Sequence, residues 1–201
     1  MSRELRSRED AAVRRQQIID EAILLIGQLG YHGFTIRQLA QRCGITNGTL
    51  IYHFGTKEGL LVSVLDECDR REAQSLRSLM QINHSPAVGV RYSLQASLGL
   101  FRQILQDTVA QPEMALFRTV LQTEALNPAH PAHGHFVKRE EMVSSKFGAL
   151  LAGHVENPFS TARGVRALID GLVQQWLRTD RAFDLMEEWD RRIVTMLPIG
   201  G

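Results

Sequence analysis

Asn47, Gly48, Thr49, Tyr52 and His53 fall within seven consecutive residues, and none of them is acidic. On a single helix Leu50 and Phe54, four apart, share a face and turn inward, which leaves those five on the remaining faces. Short hydrogen-bonding side chains at a helix start, followed by larger donors, suit the DNA major groove. The short ones reach base edges and the larger ones meet phosphates. Gly48 adds a second indication: glycine inside a helix costs about 1 kcal/mol against alanine, and a close approach of backbone to another surface gives that cost a reason. Lys57 follows directly after Gly55 and Thr56. A cation in the first turn of a helix is opposed by the macrodipole by about 0.3–1 kcal/mol. A nearby phosphate reverses that sign, and Glu58 beside it on an exposed surface offsets it too.

These side chains need elements to hold them. Thr46 caps the helix that carries them, Gly44 supplies a tight turn before it, and Ile45 gives that turn an apolar anchor. Thr35 caps a preceding short helix whose apolar positions Ile36, Leu39, Ala40 and Cys43 are spaced i, i+3, i+4, i+7. Two short helices around a glycine turn make a helix-turn-helix. Upstream, Ile18, Ala22, Leu25, Ile26 and Leu29 form one stripe on a longer helix that Gly30 closes. Downstream, a fourth helix begins at Thr56 with Leu60, Leu61, Val64, Leu65 and Cys68 inward. It runs towards Met80 and stops at Asn83-His84-Ser85-Pro86. Further helices are predicted at about 87–107, 112–126, 136–153, 159–178 and 183–197, separated by Pro112, Asn127-Pro128, Asn157-Pro158 and Thr179-Asp180. Strand-like alternation is scarce, so the fold class is all-α: an N-terminal three-helix helix-turn-helix domain over 1–56 and a C-terminal helical domain over 57–201.

Composition narrows the partners. The chain has 201 residues, 44% hydrophobic and 22% charged, which excludes the high-charge, low-apolar composition of disordered chains. A net charge of +1 says little about nucleic acid, but its distribution does. Residues 1–57 hold eight Lys or Arg against five Asp or Glu, and no acid stands between Glu21 and Glu58, a stretch that includes Arg37, Arg42 and Lys57. No apolar run approaches the roughly 18 residues of a membrane span. The start, Met1-Ser2-Arg3-Glu4-Leu5-Arg6, carries charges where a signal peptide is apolar. With two cysteines there is no disulfide framework to read. A cytoplasmic location with no membrane partner is the expectation.

Residues 22–60 resemble the DNA-binding domain of the tetracycline-repressor (TetR) family. The resemblance is carried without gaps by Ala22, Leu29-Gly30-Tyr31, Phe34-Thr35-Ile36, Leu39-Ala40, Cys43-Gly44-Ile45-Thr46, Gly48-Thr49-Leu50, His53-Phe54, Thr56-Lys57-Glu58 and Leu60. It implies that Thr35 and Lys57 contact phosphates, that Tyr52 and His53 contact phosphates or base edges, and that Thr46, Asn47, Gly48 and Thr49 line the groove, with Arg37 a further contact. It also implies a homodimer on a palindromic double-stranded operator, most often a repressor, with a small-molecule effector in the C-terminal domain that either releases or promotes DNA binding, release being the commoner behaviour in the family. One position departs: the family usually has tyrosine where this chain has Ile51, which cannot donate to phosphate. Two places are open to Ile51, the domain interior and a thymine methyl.

In the C-terminal part, Leu168, Leu172 and Trp176 on one helix and Leu185, Trp189 and Ile193 on the last give broad apolar faces. They suit a four-helix interface about a two-fold axis or the chain's own core, and the resemblance favours the dimer. Phe101, Leu105, Phe117, Leu121 and Met142 come from three helices and suit an apolar ligand pocket or ordinary packing. Arg102, Arg118, Glu113 and Glu124 are either ligand-orienting groups or solvated charges. His130, His133 and His135 are closely spaced imidazoles near Asn127-Pro128, but no helix-borne His-Glu pair, nucleophile elbow or glycine-rich phosphate loop accompanies them. Cys43 and Cys68 sit on apolar stripes, where a thiol acts as a small hydrophobe, with a redox switch as the alternative. Gly27, Gly30 and Gly33 lack the dinucleotide fingerprint. No catalytic residue, metal site or cofactor is expected, and the chain reads as a regulator rather than an enzyme.

Overall fold

The computed structural model describes residues 3–82 and 92–197, with side chains at 11–75 and 92–197. Among the described residues there are nine α-helices and no strand: α1 (Arg3–Gly33), α2 (Ile36–Arg42), α3 (Asn47–Phe54), α4 (Lys57–Ile82), α5 (Leu94–Ala110), α6 (Pro112–Glu124), α7 (His133–Leu151), α8 (Pro158–Arg178) and α9 (Leu185–Met196). The expected stop at Asn83-His84-Ser85-Pro86 and the expected helix start at 87 lie outside the described residues. The described part of that helix, α5, starts where Ser93 accepts a hydrogen bond from the Ala96 N–H. It runs to Ala110, past the expected end at 107, and stops just before Pro112. Asn157 caps α8, with Pro158 in the first turn where a missing N–H costs nothing. Asp184 caps α9 through the N–H groups of Met186 and Glu187, which moves its start from 183 to Leu185.

The chain divides into two compact units: Met1–Ser85 with Phe117–His133, and Pro86–Leu116 with Gly134–Gly201. In the first unit, Ile18, Ala22, Leu25 and Ile26 of α1 are buried together with Leu39, Leu50, Phe54, Leu60, Leu61 and Val64, as their spacing required. Phe117 and Leu121 are buried members of the same unit. Leu29, placed on the α1 stripe by spacing, is instead exposed, because the helix kinks one residue later at Gly30 (φ 73, ψ 169) and resumes to Gly33. Ion pairs tie these helices together. Glu67, buried on α4, receives Arg70 and Arg71 at 2.7 Å each, and Arg71 also pairs with Asp20 of α1. Arg118 of α6 pairs with Glu72 at 2.7 Å.

The second unit packs α9 against α8 and α5 around a core of Phe101, Leu105, Phe147, Val165, Trp176 and Trp189. Leu172, Trp176, Leu185, Trp189 and Ile193 are buried inside this core, and Leu168 is partly buried against it. Within the chain these six side chains take part in the intrachain packing that is the other reading of their apolar faces. Among the described residues, the large apolar side chains of α8 and α9 that stay exposed are Phe159, Val194 and Met196.

Candidate nucleic-acid interface

The helix-turn-helix is built by its caps. The Thr35 hydroxyl accepts from the Gln38 N–H at 3.2 Å while the Gln38 side chain accepts from the Thr35 N–H at 2.8 Å, a reciprocal box that starts α2. Cys43 ends α2 as a half-buried cap, and Gly44 (φ 64) takes the left-handed turn that its lack of a Cβ allows. Thr46 then caps α3, its hydroxyl accepting from the Thr49 N–H at 3.1 Å and sharing a hydrogen bond with the Thr49 hydroxyl at 3.0 Å. With Leu50 and Phe54 buried, α3 turns its other faces outward. Asn47 and Gly48 are exposed, Tyr52 is 85% exposed, and Thr49 and His53 are partly exposed. The structure thus places Thr46, Asn47, Gly48, Thr49, Tyr52 and His53 on one short helix and its cap, with no carboxylate on α2 or α3.

The flanking cations are held differently from one another. Arg42 is anchored to Glu21 of α1 at 3.1 Å and to Gln28, whereas Arg37, exposed on α2, has no ion-pair partner among the described residues. Lys57 turns back into the domain: its ammonium donates to the Phe34 carbonyl at 2.6 Å and lies 4.7 Å and 4.3 Å from the ring centres of Tyr31 and Phe34. Burial lowers its pKa while Glu58 and Glu124 oppose that shift. An ammonium has three N–H donors, and the Phe34 carbonyl takes one of them. Arg15 of α1, which sequence reasoning passed over, sits with its guanidinium 5.3 Å from the Phe54 ring centre and brings a further exposed cation to the end of α3.

A second group, in which Glu124 takes neither of the roles its sequence suggested, lies 93 residues along the chain from Tyr31. The Glu124 carboxylate accepts the Tyr31 N–H at 2.7 Å. It lies against Gly30, where a Cβ would stand 2.2 Å from Glu124 Oε1. The Tyr31 phenol in turn donates to Glu58 at 3.1 Å, and burial together with that carboxylate pushes its pKa up to about 12, so it remains a donor. His130 is buried beside them, its ring 5.1 Å from Tyr31 and its Nδ1 accepting from the Ala132 N–H at 3.1 Å. Burial lowers its pKa. His133 instead bonds the Ala125 carbonyl through Nδ1 at 2.8 Å, and His135 lies at the start of α7. Among the described residues no three His, Cys, Asp or Glu side chains are grouped to hold a metal. Cys68 is buried and its thiol is pushed up to about 11 by that burial.

The five apolar residues read as a ligand pocket are not brought together in either unit. Phe101 and Leu105 lie in the core of the second unit, with Phe101 4.7 Å from the Phe147 ring centre. Phe117 and Leu121 are buried members of the first, and Met142 on α7 is 42% exposed. Of the four charged residues considered with them, Arg102 pairs with Asp190 at 3.0 Å, Arg118 with Glu72, Glu124 with Tyr31, and Glu113 is exposed.

Residues 18–64 match the family model described as bacterial regulatory proteins, tetR family. A curated relative, the HTH-type transcriptional regulator BetI of Serratia proteamaculans, is 32% identical over 171 residues, covering 83% of this chain and 81% of that protein. Among solved structures, AibR in complex with isovaleryl coenzyme A and operator DNA has a TM-score of 0.72 at 17% identity, covering 93% of this chain and all of that one. NalD, the secondary repressor of the MexAB-OprM multidrug efflux pump in Pseudomonas aeruginosa, has a TM-score of 0.67 at 24% identity, covering 94% and 95% of the two chains. The two structural likenesses establish the same helical fold.

Proposed function

This chain belongs to the TetR family of bacterial regulatory proteins, and from that premise we propose that it is a homodimeric, sequence-specific repressor whose grip on a palindromic operator is changed by a small molecule. The observation that carries the DNA-binding part is the outward face of α3. It is a capped two-turn helix with its apolar pair buried, its polar side chains presented, and no carboxylate to repel phosphate. In this reading Asn47, Gly48 and Tyr52 enter the groove, Thr46, Thr49 and His53 line it, and Thr35, Arg37 and Lys57 meet the phosphates on either side. The 1–56 segment reads DNA, and effector binding and dimerisation fall to 57–201.

Dimerisation uses the outer faces of α8 and α9, where Phe159 and Val194 remain exposed after the inner faces have packed on each other. A two-fold axis there repeats the recognition helix about one DNA turn, roughly 34–36 Å, away. Ligand then acts as a population shift towards a dimer whose two α3 helices no longer match the half-site spacing. No helix among the described residues is long and apolar enough to cross a membrane.

The test is selection of duplexes from a genomic pool by the purified protein, followed by titration of the best site across salt concentrations with the wild type, Tyr52→Ala and Arg37→Ala. A palindromic site is expected. Its affinity falls steeply with salt, Tyr52→Ala weakens it, and Arg37→Ala lowers the log–log salt slope by about 0.9, the value for one phosphate contact. Duplex binding that is absent, or indifferent to salt and to both substitutions, would overturn the reading.

A further inference from the structure

The outward surface of α3 carries one large side chain that can neither donate nor accept a hydrogen bond. Ile51 is 54% exposed, so the interior, filled by Leu50 and Phe54, is not its place. It stands one turn after Asn47 on the same flank of α3, at the edge of a shallow groove that it shares with Ile36, Thr56 and Lys57. Its neighbours on the exposed surface are polar: Asn47, Thr46 and Tyr52.

On a surface that meets a duplex, a side chain at this position faces phosphate oxygens or base edges. Against a phosphate, an aliphatic group offers no hydrogen bond and displaces water from an anion, which is unfavourable. Against base edges the outcome depends on the base. Three of the four present only donors and acceptors in the major groove, and thymine alone adds an apolar group, its C5-methyl. The β-branched side chain is also stiff at χ1 within a helix, so it is already held in place and loses little rotamer freedom on contact.

Resting on the DNA-binding reading above, we propose that Ile51 is a specificity-determining residue that packs on the C5-methyl of one thymine in each operator half-site. It replaces an expected polar anchor with apolar base readout. The neighbouring Asn47, one turn earlier on the same flank, retains its amide for the hydrogen-bonding part of the same edge.

Replacing each thymine of the selected operator in turn by deoxyuridine isolates the methyl, because every hydrogen-bonding group is kept and only the C5-methyl is lost. For the wild type, one such replacement per half-site is expected to weaken binding about fourfold, the worth of one buried methyl group, while the others leave it unchanged. Ile51→Ala, an exposed substitution whose folding is checked by its unfolding midpoint, is expected to bind the thymine and deoxyuridine duplexes equally at that position. It remains as salt-dependent as the wild type. The proposal is overturned if no deoxyuridine replacement weakens the wild type, or if the same replacement weakens Ile51→Ala as much. Failure of the wild type to bind any duplex would instead remove the DNA-binding reading on which the proposal stands.

Discussion

The helix-turn-helix and the α8–α9 pair obey the same rule of amphipathic burial and end in opposite states. In α3, eight residues long, the buried residues are Leu50 and Phe54, and Asn47 and Tyr52 are left exposed. In α8 and α9 most of the large apolar side chains are buried within the chain: Trp176 and Trp189 are among the buried residues of one core. A short helix with a small buried face thus gives up little stability when its surface residues change, whereas the long pair carries the stability of its unit. Residues proposed to recognise DNA and residues that hold the fold are segregated, and substitutions should separate them.

The sharpest break in that contrast comes from pairing Trp189→Ala with Tyr52→Ala. Trp189 is 1% exposed, and its truncation should cost about 3–5 kcal/mol in denaturant unfolding. Tyr52→Ala should stay within about 0.5 kcal/mol of the wild type and lose operator affinity. A Tyr52 variant as unstable as the Trp189 one would dissolve the distinction.

Acid should then expose how the first unit is tied together. The paired Arg70 and Arg71 guanidiniums hold the Glu67 carboxyl down to about 2 from an ordinary 4.5. A depressed folded-state pKa means that the stability from this group is fully present above about pH 4.5 and drains away as the pH falls towards 2. Equilibrium unfolding between pH 6 and pH 3 should show that decline in the wild type and a shallower one in Glu67→Gln.

Two glycines sharpen the comparison within the DNA-binding unit itself. Gly30→Ala places a Cβ at positive φ and against the Glu124 carboxylate, so a loss of about 1–3 kcal/mol is expected. Gly48→Ala is the opposite case. A Cβ there meets nothing closer than the Thr46 hydroxyl at 3.6 Å, and removing a helical glycine should add up to about 1 kcal/mol of stability. If the α3 backbone approaches DNA closely, the same variant binds operator more weakly despite being more stable. Unchanged affinity would show that Gly48 is not there for recognition.

Both caps of the helix-turn-helix were legible in the sequence, because capping is a local event: Thr35 and Gln38, or Thr46 and Thr49, are three residues apart and need no other part of the chain. The outward side chains of α3 were legible for the same reason, since two buried positions set the register of eight. Helix ends were less so at α9, where Asp184 moves the start. The apolar stripes of α8 and α9 announced helices correctly, yet an apolar face looks the same whether it packs on its own chain or on a partner.

The sequence alone determined the all-α class, the turn at Gly44, the outward polar face of α3 and the absence of carboxylate from it, since periodicity, caps and charge are properties of neighbouring residues. The tertiary structure decided the rest. It turned Lys57 back onto Phe34, set Arg15 over Phe54, exposed Ile51, kinked α1 at Gly30 and placed Glu124 against Tyr31. The Glu124–Tyr31 contact spans 93 residues, and no local spacing encodes a contact of that length. It exists because burying Phe117 and Leu121 in the same unit as α1 and α4 brings a carboxylate and a backbone N–H to the same place, where each satisfies the other.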